Sequence, residues 1–384
     1  MKEQDKKILI IYHKEDNDGV FSAAIILDFL VRNNVADEKH IELMGAEYSM
    51  LHDIYVNEEM PWQERFSAEK YKRVFLTDVS FNDIEIMKWL YETYKENFIW
   101  FDHHAPAIKS SFDNKYDGVE GCRLRDRSAI GCAWRYFHDP FDADWLLRKE
   151  YYEPGLLHID RISKLEPGAY PELLRILSAY DSWTYKECGY DYDYVSAVNT
   201  GVNHYLGLDI FKVVGEVANC VNYMNSYSKQ KTKTQKFDWL NWQNEDINFY
   251  LEKGVEIKDL DAKRWKNIIS NMGDETFKLK LNDKEFYNAV MVFTSEPTNS
   301  HCFDSIKEIY PNVRFGIALK HNGKAVSKPY TLSLYDIYED DNSFEDFHCG
   351  EFLKERYGGG GHKGAAGCQL SSEMFYMIMD NKYI

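Results

Sequence analysis

The sequence predicts an α/β protein: an N-terminal parallel-sheet domain with helices on both faces, followed by a smaller C-terminal α/β domain. Two patterns carry this. Apolar β-type runs alternate with stretches of helical spacing through the first third, as in a parallel sheet with covering helices. Strand-like runs then return near the C-terminus, after a mainly helical middle. The length of 384 residues also exceeds what one hydrophobic core usually serves, so two domains are the starting expectation.

Taken in order, residues 8–12 (ILIIY) read as a short buried strand, and after a polar loop residues 20–31 have apolar positions at helical spacing. Residues 74–77 make a second strand, 84–94 a helix and 98–101 a third strand. No GxGxxG follows the first strand, which leaves dinucleotide binding without support. From about 129 to 227 the pattern is mainly helical. Pro171 opens ELLRILSAYDSW, with apolar positions three and four apart, and residues 209–227 form another amphipathic stretch that runs into SKQKTKTQK. Strands return at 289–293, 314–319 and 331–335. The expected division is therefore 1–227, a helical connection over 228–254, and 255–384.

Charge narrows the classes of partner. There are 46 basic and 63 acidic side chains, a net charge of −17. Binding to long duplexes rests on neutralising many phosphates and usually shows as a basic domain, so the balance favours a small anionic ligand met by locally supplied positive charge. No apolar run approaches the ~20 residues of a membrane span, and the N-terminus lacks the marks of a signal peptide. Seven scattered cysteines without a CxxC pair read as reduced, buried thiols of a cytoplasmic protein.

Three predicted strands end in the same chemistry. ILIIYH runs into His13, Asp16 and Asp18; RVFLTD ends at Asp78; NFIWFDHH ends at Asp102, His103 and His104. In an open parallel sheet the carboxyl ends of the strands line the ligand crevice, so these residues converge. Packed carboxylates repel unless a cation offsets them, and a mixed Asp and His set suits a divalent transition metal such as Mn²⁺. Each piece alone has a plainer reading. Asp18-Gly19 is also a turn before a helix, with Asp18 as its cap, and adjacent histidines are also a surface pair. At three successive strand ends together, they point to a metal site.

These residues resemble the DHH phosphoesterase superfamily: HxxDxDG at 13–19, the strand-end Asp78, and Asp-His-His at 102–104. RYGGGGHKGAAG at 356–367 is similar to the signature of the DHH-associated C-terminal domain, so the motifs cover nearly the whole chain. The resemblance implies two divalent ions, Mn²⁺ first, with Mg²⁺ or Co²⁺ as alternatives. His13 and Asp16 would hold one, Asp18, His103 and Asp181 the other, and Asp78 would bridge. It implies that His104 faces the substrate phosphate, that Asp102 orients the histidines, and that a metal-activated hydroxide attacks a phosphodiester. The active site would lie in the cleft between the domains. The fourth-motif aspartate is assigned to Asp181 in SAYDSW, with Asp160 and Asp191 as alternatives.

The glycine-rich motif implies a substrate-binding loop, with Gly359, Gly360, Gly361 and His362 as the contacts. Successive glycine N–H groups can form an anion nest. Where members of the family often carry Arg, in a pattern like SLRS, this chain reads SLYD, which places Tyr335 there as a base-stacking candidate. Of Arg123, Arg125 and Arg127, Arg127 is the candidate to reach substrate. The lysines of SKQKTKTQK and the tyrosines at 190–194 read as a solvated helix face and as packing.

The expected function is thus Mn²⁺-dependent hydrolysis of short single-stranded oligonucleotides, cyclic dinucleotides or nucleoside bisphosphates. The expected setting is away from membranes, with a homodimer compatible. The alternatives are a RecJ-like single-strand exonuclease, a manganese inorganic pyrophosphatase, and a non-catalytic nucleotide sensor. The glycine-rich tail speaks against the pyrophosphatase, and the full set of ligand residues speaks against the sensor.

Overall fold

Side chains of a β-strand point alternately to opposite faces, and the first strand, β1 (Lys7–His13), uses both. Ile8, Ile10 and Tyr12 enter one hydrophobic core, and Leu9 and Ile11 enter another. Burial on both faces explains why the strand reads as a continuous apolar run. The computed structural model describes residues 5–48, 50–51, 54, 60–125, 127–138, 170–230, 239–271, 277–280, 286–295, 298, 300–303, 305–321, 327–337, 347–361, 363–381 and 384.

After β1 the first unit continues with α1 (Asn17–Arg32), β2 (Ile41–Ala46), α2 (Trp62–Arg65), β3 (Tyr71–Thr77) and α3 (Ile84–Tyr94). It goes on through β4 (Phe98–Asp102), α4 (Ala105–Asp113), β5 (Glu120–Arg123) and α5 (Ala129–His138). The helices α6 (Glu172–Asp181), α7 (Tyr192–Leu206), α8 (Ile210–Gln230) and α9 (Trp239–Ser270) follow. The five strands are parallel, in the order β2-β1-β3-β4-β5. Helices α1, α5, α6 and α7 pack on one face, and α3 packs on the other. This is the predicted doubly covered sheet. Its strand order reverses between β1 and β3, and an open α/β sheet binds ligands outside the carboxyl ends of the strands at such a switch point.

Two strands of this unit escape the sequence patterns. Edge strand β2 is buried only at Ala46, and β5 is four residues long with Gly121 at φ 118°. Neither has the apolar run that marks a central strand. In β5 the buried Arg123 guanidinium donates to the carbonyls of Trp100, Asp117, Glu120 and Val119. Its charge is consumed in holding the sheet edge.

The chain divides into two compact units, Met1–Val255 and Glu256–Ile384, with the division inside α9. The second unit holds β6 (Phe277–Lys280), β7 (Phe286–Thr294), α10 (Ile306–Ile309), β8 (Phe315–His321), β9 (Tyr330–Asp336), α11 (Cys349–Tyr357), β10 (Gly360–Gly361), β11 (Ala365–Leu370) and α12 (Ser372–Asn381). Its six-stranded sheet runs β10-β11-β9-β8-β7-β6, and only β7 and β8 pair in parallel. Arg314, the residue before β8, pairs with Asp336 of β9 at 2.6 Å with both side chains nearly buried. Among the described residues no helix is long and apolar enough to cross a membrane.

His138, at the end of α5, gives the first unit a testable pH dependence. Its ring stacks on Trp134 at 4.2 Å and meets Phe29 edge-on. Burial pushes its pKa down to about 4. The unfolded chain therefore takes up a proton near pH 6.5 that the folded chain refuses until about pH 4, and stability falls as pH drops through that window. We expect a loss of roughly 3 kcal/mol across it, largely absent in His138→Phe. Urea unfolding at a series of pH values measures both slopes; equal slopes would contradict the assignment.

Candidate metal centre

The site begins where β1 ends. His13 closes the strand, and the chain turns at once into α1. Asp16 caps that helix: one carboxylate oxygen accepts from Gly19 N at 2.9 Å, and the other lies 2.7 Å from His13 Nδ1. The cap is therefore Asp16, and Asp18 has another task. Its two oxygens accept from Ala129 N at 2.7 Å and Ile130 N at 2.8 Å, which caps α5, more than a hundred residues away. Gly19 is needed for contact. A Cβ there would stand 2.0 Å from the His13 carbonyl oxygen, so any side chain would force α1 off the strand end.

Strand β3 contributes Asp78 in the left-handed region, with φ 55°. Aspartate tolerates this conformation better than most residues, though at some cost. Asp78 N–H donates to Phe101 O of β4, and Thr77 Oγ1 donates to Ser22 of α1, so the turn is braced on both sides. Asp78 lies between the histidines. Its Oδ2 is 3.5 Å from His13 Nδ1, and its Oδ1 is 3.5 Å from His103 Nε2 and 3.9 Å from His104 Nδ1.

Strand β4 ends in Asp102, which is fully buried and multiply bonded. It accepts from Trp100 Nε1, from the backbone N–H of His103 and of His104, and it meets His104 Nδ1 at 2.8 Å. That contact fixes the His104 ring and directs Nε2 away from Asp102. Helix α6 supplies the last member: Asp181 Oδ2 is 2.9 Å from His103 Nε2, and Asp18 Oδ2 is 3.7 Å from the same nitrogen. Of the two alternatives to Asp181, Asp191 caps α7 at an exposed position, and Asp160 lies outside the described residues.

The electrostatics are those of crowded carboxylates. Burial, then Asp78 and Asp181, hold the Asp18 pKa well above the carboxylate range. Burial lowers the pKa of His13 and of His103, but the neighbouring aspartates outweigh it and leave both well above the usual histidine value. Burial raises Asp16 and Asp102 too, yet His13 beside the first and His104 beside the second bring both below the ordinary value. Among the described residues three groups have ligand atoms close enough for one ion: His13, Asp16 and Asp78; Asp18, His103 and Asp181; Asp78, His103 and His104. Asp78 Oδ1 is buried and makes no hydrogen bond. An unpaired buried carboxylate oxygen among imidazoles fits a hard divalent cation, and the Asp and His donors suit Mn²⁺.

The remaining sequence candidates have structural contacts of their own. Arg127 precedes α5, and its N–H donates to Leu124 O. Tyr335 belongs to the second unit, where its ring packs on Phe303 and its hydroxyl donates to Thr298 O. It is 7% exposed, so it is a core residue there and not a stacking platform. Gly358 ends α11 with φ 67°, and Gly361 has φ 145° with Ala366 pressed against it. A Cβ on Gly359 would stand 2.4 Å from Gly367 O. Helix termination and backbone packing thus account for much of the run that includes Gly360. His362 and Lys231, Lys233 and Lys236 lie outside the described residues.

Replacing Gly19 with alanine tests the geometry. The added methyl should destabilise the fold by about 1–3 kcal/mol, as overpacking does, and should weaken Mn²⁺ binding. Urea unfolding and a calorimetric Mn²⁺ titration measure the two effects. A variant matching wild type in both would show that the β1–α1 contact does not shape the site.

No protein-family model matches the chain, and no curated protein matches it in sequence. Solved structures do. RecJ in complex with Mn²⁺ from Thermus thermophilus is 15% identical over 99% of this chain and 52% of its own, with a TM-score of 0.45. The chain therefore spans about half the length of that protein. The pGpG-specific phosphodiesterase PggH from Vibrio cholerae is 15% identical over 98% of this chain and 97% of its own, with a TM-score of 0.35. An exopolyphosphatase-related protein from Bacteroides fragilis is 12% identical over 98% and 91%, with a TM-score of 0.36.

Proposed function

We propose that the chain is a metal-dependent phosphodiesterase acting on short nucleic acid or nucleotide substrates. The observation that carries the reading is the convergence of His13, Asp16, Asp18, Asp78, His103 and Asp181 at the switch point of the sheet, with a buried Asp78 oxygen left unpaired. In this reading His13, Asp16 and Asp78 hold one ion, and Asp18, His103 and Asp181 the other, Asp78 being shared. Divalent ions held there, manganese first, supply a lowered water pKa and offset charge on phosphoryl oxygens.

The chain's own groups do the rest. His104 is 27% exposed at its side chain and offers Nε2 to a phosphoryl oxygen. Burial and His103 lower its pKa, but Asp102 and Asp78 outweigh them and raise it above the usual value, so the ring tends to carry the positive charge an anionic substrate needs. Asp102 keeps that ring from rotating. Each proposed ligand residue sits at or beside a strand end or helix terminus, which favours hydrolysis over loose sequestration.

Short substrates follow from the charge. A chain at −17 offers little extended attraction to a long polyanion, whereas a local site needs to bind only one or two phosphates. Purified protein with Mn²⁺ should cleave a labelled dinucleotide or a cyclic dinucleotide faster than a long single strand. Preference for the long strand would favour a RecJ-like exonuclease, and phosphate release from pyrophosphate alone would favour a pyrophosphatase. Asp78→Asn keeps the side chain's shape and removes its charge. It should lower hydrolysis at least a thousandfold with the melting temperature little changed, and unaltered turnover would sink the proposed site.

A further inference from the structure

Tyr48 enters the site from a direction that no motif marks. It follows edge strand β2, which lies beside β1, and its ring sits 5.6 Å from the His13 ring and 6.4 Å, edge-on, from the His104 ring. The segment that carries it is tied to the end of β1. Lys14 N–H donates to Ala46 O at 3.2 Å, and Lys14 Nζ pairs with Glu47 at 2.7 Å. Tyr48 is partly exposed, and among the described residues its hydroxyl has no hydrogen-bond partner.

A phenol beside four aspartates is an unusual neighbour. A phenol is a donor at neutral pH, and burial, then the carboxylates of Asp102, Asp78, Asp16 and Asp181, hold this one in its protonated form. Yet it donates to none of them. A donor held at the rim of an acidic cluster and left unpaired is placed for an acceptor that arrives with the ligand. His104 lies across the same rim, its Nδ1 engaged by Asp102 and its Nε2 turned away from that contact. The two side chains thus offer donors of different elements to one place, and the ring of Tyr48 closes the side next to His13.

We infer that Tyr48 is a substrate-positioning residue, whose hydroxyl donates to a non-bridging oxygen of the phosphoryl group that His104 also contacts. The inference rests on the phosphodiesterase reading above. It adds a contact from the β2 side of the sheet, where sequence motifs place nothing. Tyr48 is assigned no role in holding a metal, and that separates it from its neighbours.

The test uses the full chain and three measurements: calorimetric Mn²⁺ binding, binding of inorganic phosphate to the Mn²⁺-loaded protein, and kcat and KM on a dinucleotide. Tyr48→Phe keeps the ring against His13 and removes only the hydroxyl. It should leave Mn²⁺ affinity within twofold of wild type and weaken phosphate binding about tenfold, a loss of one hydrogen bond to a charged group. KM should rise, or kcat fall, by a similar factor. Tyr48→Ala should weaken phosphate binding further. Phosphate binding unchanged in Tyr48→Phe would overturn the inference, and so would a parallel loss of Mn²⁺ affinity, which would make Tyr48 a support for the ligands. Wild-type protein that does not bind Mn²⁺ overturns the phosphodiesterase reading itself, an outcome separate from either.

Discussion

The first unit is organised around the need to hold four carboxylates, Asp16, Asp18, Asp78 and Asp181, at one edge of a parallel sheet. Their mutual repulsion and desolvation oppose folding unless opposite charge and hydrogen bonds offset them. Every device near the site addresses that problem. Asp16 and Asp18 each accept backbone N–H bonds from a helix start, so two of the four also serve as caps. His13 and His103 lie between the carboxylates, and Asp102 is bonded from four directions. For the buried Asp78 oxygen that makes no hydrogen bond, a cation is a natural partner.

This double use of Asp18 connects chemistry to architecture. The carboxylate that would bind metal also fixes the N-terminus of α5, and α5 packs on α1 within the same core. Site and fold are therefore coupled through one side chain. Removing Asp18 would disturb a helix start as well as a ligand set, which makes Asp78 the cleaner position for probing catalysis. Gly19 acts through the same coupling in reverse, since its missing side chain lets α1 approach the end of β1 closely enough for Asp16 and Asp18 to reach their partners.

The second unit shows how a suggestive motif can have a structural explanation. Gly358 terminates a helix in the left-handed conformation, and Gly359 and Gly361 lie where a Cβ would strike neighbouring backbone. Tyr335, which stands where a cation was expected, is packed within the unit. Arg314 is likewise engaged, paired with Asp336 and lying over the Phe315 ring. A glycine run, a tyrosine and an arginine thus look different once their contacts are known.

Much of the first unit was legible in the sequence, because local rules govern it. Continuous apolar runs marked β1, β3 and β4, helical spacing marked α1 and α3, and the carboxyl ends of those strands carried Asp and His. Parallel-sheet topology alone brings such ends together. What only the tertiary structure decided depends on contacts distant in sequence. It placed Asp181 against His103 and Asp191 at the cap of α7, gave Asp16 the cap of α1 and Asp18 that of α5, and spent Arg123 on backbone carbonyls. It also brought Tyr48 from an edge strand with little apolar signal to the rim of the site. The sequence by itself determined which residue types are available at the strand ends; the packing of helices against the sheet decided which of them meet, because that proximity is a property of the assembled layers and of no local segment.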